Sequence, residues 1–144
     1  MTLLFLASGS LLIACGEKEP DTFAGIWKGE ASIVESHYNS LVKKNLVTEA
    51  CNYLFDISKN NGGDNYTVKI TSVNDHPISD ESRVETIMGS YTATRDGDTL
   101  LVDMGYHGKA PLKLENNKII WVAPAREQLL KVPQCVFDKQ SLQK

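Results

Sequence analysis

No G-x-S-x-G, H-E-x-x-H or phosphate-loop motif occurs in the 144 residues, and no two cysteines stand in a C-x-x-C. Nucleophilic catalysis needs an activated Ser or Cys beside a base, and acid–base catalysis needs paired groups in a cleft, so these absences point away from an enzyme. Positive charge is not in surplus: 15 Lys and Arg stand against 18 Asp and Glu, a net charge of -3, which leaves no basic footprint for nucleic acid. No apolar run reaches the roughly 20 residues that span a bilayer as a helix. His37, His76 and His107 lack metal-ligand spacing and read as surface loop residues, so neither metal nor other cofactor is expected. Asp96 and Asp98 belong to the tight turn "RDGD", and Asp80, Glu81 and Arg83 to a solvated polar loop.

What is present begins with an abrupt change of solvent preference. Residues 1–14, "MTLLFLASGSLLIA", carry no Asp, Glu, Lys or Arg, and "CGEKEPDT" follows with four charges. The apolar run has the length of a signal-peptide core, and "GEKEPD" reads as a short polar tether. The expected organisation is a signal peptide over 1–14, a cysteine and tether over 15–21, and one folded domain over 22–144. A signal peptide should open with Lys or Arg after Met1, and none is there; a start placed a few codons late, or a trimmed chain, is the expected reason.

From Thr22 the pattern is period two, punctuated by turns. "FAGIWKGEASIVE" (23–35) reads as a first strand, its glycines at 25 and 29 marking a bend or close packing. Segment 36–48 is ambiguous between a short helix and an irregular connection. Cys51, Tyr53, Phe55 and Ile57 alternate with Asn52, Leu54, Asp56 and Ser58 to give one apolar face, and after "KNNGGD" Tyr66, Val68 and Ile70 repeat the alternation, which predicts a hairpin. "VETIMGSYTAT" and "TLLVDMGY" flank "RDGD"; "APLKLE" and "KIIWVA" flank Asn116 and Asn117. "EQLLKV" (127–132) then leads into a strand-like "CVF". Eight strand candidates in meander order predict an all-β fold, an up-and-down antiparallel barrel of about eight strands, because closure at that number removes both edges.

Leu12, Ile13, Ala14 and Cys15 resemble the lipobox of bacterial lipoproteins. That resemblance implies a diacylglyceryl group on the Cys15 thiol, cleavage before it and acylation of the new amine. Two or more acyl chains anchor stably where one binds marginally. Gly16 after the cysteine is similar to lipoproteins passed to the outer membrane, which implies a membrane-held position facing the periplasm. With Cys15 lipidated, Cys51 and Cys135 remain as the natural disulfide pair; two separate buried thiols would suit a cytosolic protein instead.

Gly25, Ile26 and Trp27 resemble the G-x-W that opens lipocalin and calycin barrels, in which the tryptophan plugs one end beneath a basic residue. The resemblance implies that role for Trp27, with Arg126 or Lys131 above it. "GIWKGE" and "GSYTATRDGDTLLV" are similar to small envelope lipoproteins with lipocalin-like domains, although T-D-Y and C-x-x-C are absent, so neither ligand transport nor redox sensing carries over by residue. A further resemblance is to membrane-bound lysozyme-inhibitor lipoproteins, through Cys15, Cys51, Cys135 and "KIIWVAPAREQLLKV". Their Ser- and Gly-rich inhibitory loop is missing; "MGYHGKAPLKLE" stands nearest, offering Tyr106, His107 and Lys109. Two functions follow as expectations: a non-catalytic, lipid-anchored binding module for a small apolar ligand or envelope component, or a protein inhibitor or immunity lipoprotein that blocks a lytic enzyme or toxin. An open cavity lined by residues such as Tyr53, Phe55 and Ile87 would favour the first, and a filled barrel the second.

Overall fold

The alternating segments become strands wrapped around a single core. A computed structural model describes residues 21–61, 63–77, 83–122 and 125–141, with Ala125 and Arg126 as backbone alone. The strands are β1 (Gly25–Gly29), β2 (Ser32–Asn39), β3 (Lys44–Ala50), β4 (Tyr53–Lys59), β5 (Asn65–Asn74), β6 (Val84–Asp96), β7 (Thr99–Asp103), β8 (Lys109–Glu115), β9 (Lys118–Val122) and β10 (Gln134–Lys139). Helix α1 (Ala125–Leu129) lies between β9 and β10.

Eight strands close a barrel in the order β1-β10-β9-β8-β7-β6-β5-β4, and each neighbouring pair is antiparallel. This is the up-and-down barrel that the turn spacing predicts. The meander is interrupted at one place, between β1 and β4, where β2 and β3 pair with each other as a separate hairpin, here called the arm.

The inward face of each strand carries the apolar half of the alternation. Trp27, Phe55, Ile57, Tyr66, Val68, Leu100, Val102, Leu112, Ile119 and Phe137 are each 2 % exposed or less. Phe55 stacks on Phe137 with ring centroids 4.1 Å apart, and Trp121 meets Phe55 edge-on at 5.5 Å. Offset and edge-on aromatic pairs add about 0.5 to 1.5 kcal/mol each beyond their buried area. An eight-stranded barrel is just wide enough for such side chains to fill it. Phe55 and Tyr53 are thus core residues, whereas Ile87 lies on the outside of β6.

Two local readings of the sequence are corrected. The segment 23–35 is not one strand, because β1 ends at Gly29 and β2 begins at Ser32. A Cβ on Gly29 would lie 2.2 Å from the Cys51 carbonyl oxygen, so only glycine lets the two backbones pass this closely as the chain leaves the barrel. Segment 36–48 is neither helix nor irregular connection but most of the arm. Its β-branched and aromatic residues favour pleated structure, and Asn39 Oδ1 closes the tip by accepting the amides of Leu41 and Val42. The start of "EQLLKV", a segment to which the sequence reading gave no conformation, belongs to α1, whose Ala, Arg, Glu, Gln and Leu are strong helix formers, and the chain then turns at Lys131 with φ 64°.

Candidate functional site

The strand registers sort every connection to one of two ends. At the N-terminal end lie Asp21, the link between β4 and β5, the turn at Gly97–Asp98, the turn at Asn116–Asn117, and the exit from β10. These links are short. Asn116 and Asn117 both have positive φ, 51° and 64°, the signature of the type I′ turn that matches strand twist.

This end is sealed. Asp21 Oδ1 accepts the amides of Phe23 at 2.8 Å and Ala24 at 3.0 Å, while Oδ2 accepts the Tyr66 hydroxyl at 2.7 Å. Burial would raise the Asp21 pKa, but these hydrogen bonds, with Lys59 nearby, outweigh it and hold the carboxyl below its ordinary value. Burial and the Asp21 carboxylate together raise that of Tyr66. Trp27 is 1 % exposed, its indole N–H donating to the Phe23 carbonyl at 2.8 Å, and it plugs this end together with Phe23 and Tyr66. The cation over the Trp27 ring is Lys139 of β10, with Nζ 5.5 Å from the centroid. Arg126 and Lys131 instead belong to the β9–β10 connection at the opposite end, and the side chain of Arg126 lies outside the described residues.

All the long connections gather at the opposite, distal end: the arm, the β5–β6 link, the loop 104–108 and the segment that carries α1. The segment with α1 folds across the barrel mouth. Glu127 is fully buried there; both its carboxylate oxygens accept the Tyr53 hydroxyl at 3.0 Å, and Oε2 accepts the Cys51 amide at 3.1 Å. Beside it a Cys51–Cys135 disulfide ties the base of the arm to β10. The arm is held on its other side by Glu49, which is buried and accepts the Asp75 amide at 3.2 Å while its Oε2 lies 3.3 Å from His76 Nδ1.

Apolar side chains that the core does not use cluster on this end. Tyr38 and Leu41 on the arm, Tyr106 in the loop 104–108 and Leu129 on α1 are 63 %, 91 %, 97 % and 84 % exposed. Tyr106 and His107 form a short 3-10 turn with ring centroids 4.6 Å apart, and Lys109 begins β8 beside them. That loop is where the sequence placed a partner-facing segment. Between β3 and the β5–β6 hairpin the mouth also holds an open cleft of about 430 Å³, lined by Val47, Glu49, Asn52, Tyr53, Ser72 and Met88. Asn52 donates to the Val73 carbonyl at 2.8 Å, and its own Oδ1 is buried with no partner among the described residues.

Cys15 lies outside the described residues. The arm, Glu127 and Lys139 escaped the sequence reading. The arm had a visible signal in the β-branched and aromatic Ile33, Val34 and Tyr38 and the Asn39-Ser40 turn pair, whereas Glu127 and Lys139 had none, because their partners are far away in sequence. Comparison with protein-family models, with curated proteins and with solved structures finds no match to this chain, so the distal end is read from its own residues.

Proposed function

We propose that this chain is a lipid-anchored lipoprotein of the bacterial envelope whose barrel is a non-catalytic binding module, and that it meets a protein partner with its distal end. The observation that carries the reading is the asymmetry of the barrel. The sealed end receives the chain from the tether, while long connections and unused apolar side chains gather at the end pointing away from it. A lipid on Cys15, in an outer membrane facing the periplasm, would therefore leave the distal end free to face its partner. The packed aromatic interior favours surface recognition over a ligand enclosed in the barrel. Exposed Tyr106 and Tyr38 are of a residue type enriched in interface cores, and the exposed Leu41 adds apolar surface on the arm. An envelope lytic enzyme or a delivered toxin, blocked in the manner of an inhibitor or immunity protein, is the class of partner that such a tethered module suits.

The test is capture of envelope proteins by residues 16–144 used as bait, with Tyr106→Ser and Leu41→Ser baits alongside. A protein retained by the parent bait and lost from the Tyr106→Ser bait supports the reading. Retention of no protein at micromolar bait overturns it. One observation favours a second reading, a small apolar ligand: the cleft of about 430 Å³ at the mouth. That reading expects an environment-sensitive apolar probe to bind the parent chain and to be released by Met88→Lys.

A further inference from the structure

Strand β2 is an exposed sheet edge among the described residues. It pairs with β3 on one side only among the described residues, and seven of its eight residues are exposed. Its sequence, "SIVESHYN", contains no Pro or Lys, two residues that ordinarily blunt an edge, and Glu35 is its one acidic or basic side chain apart from His37. A single bulge, between Ile33 and Glu35, interrupts its pairing with β3, and Glu35–Asn39 runs regularly beyond it.

We propose that this edge pairs with β2 of a second copy of the chain, antiparallel across a two-fold axis through Ser36. A two-fold axis normal to the sheet must pass through a residue position, which leaves few registers for the regular stretch. Centring on Glu35 sets two carboxylates face to face, and centring on His37 sets two imidazoles face to face. Centring on Ser36 places Glu35 opposite His37 and Val34 opposite Tyr38, and symmetry repeats each pair. Carboxylate beside imidazole donor, and β-branched beside aromatic, are the favourable cross-strand combinations. The bulge puts the Val34–Tyr38 pair at the limit of the regular ladder, so Glu35, Ser36 and His37 fix the register. A strand pair of this length buries less than a stable interface needs, so the dimer is weak in solution and is sought by trapping.

The test uses the full chain in detergent with Cys15→Ser, which leaves Cys51 and Cys135 in their bridge. Directly opposed residues of an antiparallel pair stand about 4.5 to 5.5 Å apart at Cα, within disulfide reach. Under a mild oxidant, Ser36→Cys should give a covalent dimer at least tenfold more abundant than Leu41→Cys, a tip position that this register leaves unopposed. Equal yields, or no Ser36→Cys dimer, overturn the pairing. Glu35→Lys and His37→Glu should each lower the cross-linking rate of Ser36→Cys about tenfold, and Glu35→His combined with His37→Glu should restore it. Because these side chains are exposed, circular dichroism should be unchanged in all of them. Loss in the singles without recovery in the double overturns the register.

Discussion

The hydroxyl of Tyr53 lies 3.0 Å from each carboxylate oxygen of Glu127, joining the second strand of the barrel wall to the helix that crosses its mouth. Both groups are buried, and Tyr53 packs edge-on against Trp121 with centroids 5.8 Å apart. The pair thus fastens the distal lid to the aromatic core. Removing the hydroxyl leaves a buried acceptor short of a donor, so Tyr53→Phe should cost about 1 to 3 kcal/mol. Urea denaturation would read this as a lower midpoint with an unchanged slope; a midpoint equal to that of the parent chain contradicts the role.

The Cys51–Cys135 bridge closes a loop with a sequence separation of 84 residues. Chain entropy for a loop of that size gives roughly 4 to 5 kcal/mol, an upper figure because engineered and native bridges often deliver less. Reductant should lower the melting temperature clearly, and the double variant Cys51→Ala/Cys135→Ala should melt at that lower temperature with or without reductant. The same melting temperature for the reduced and oxidised parent would refute the contribution.

Asp21 gives the fold an acid-sensitive contact at its N-terminal end. Hydrogen bonds to its carboxylate lower its folded pKa, so its contribution is present above the unfolded value and is lost as pH falls through the folded one. Asp21→Asn should therefore be less stable than the parent near neutrality, and the difference should shrink as pH drops below about 4. A gap that stays constant from pH 7 to pH 2 would show that ionisation of Asp21 is not what the contact depends on.

Lys139 lies over the Trp27 ring, and its ammonium also donates to the Asp21 carbonyl at 3.3 Å. Lys139→Met keeps an apolar stem and removes the charge, so it isolates the cation. A loss of about 0.5 to 1 kcal/mol is expected, the usual size of a cation–π contact with one side open to water. Tryptophan fluorescence during urea unfolding measures it; an unchanged midpoint would leave Lys139 as a bystander.

Anchoring can be separated from folding. Under the proposed lipidation, Cys15→Ser should leave the precursor uncleaved and without lipid, with a mass that includes residues 1–14. The disulfide and the barrel should be unaffected, since Cys51 and Cys135 pair with each other and the barrel strands run from Gly25 to Lys139. Identical mass and membrane fractionation of parent and variant would remove the lipid from the reading.

The sequence alone determined the barrel wall. Period-two alternation over 53–57 and 66–70, with turn residues at 97–98 and 116–117, specifies local pairing between neighbours in the chain, and an up-and-down barrel consists largely of such neighbours. The tertiary structure decided what depends on distant partners. Glu127 becomes a buried lid contact only because Tyr53 and the Cys51 amide meet it across 74 and 76 residues of chain, and a helix-forming stretch was free to become α1 because β9 and β10 already satisfy each other. Lys139 covers Trp27 only because the first and last strands close the ring. The arm lies between these cases. Its strands were written in β-branched and aromatic residues, but its exposed outward face was set where Gly29 lets the chain leave the barrel beside Cys51.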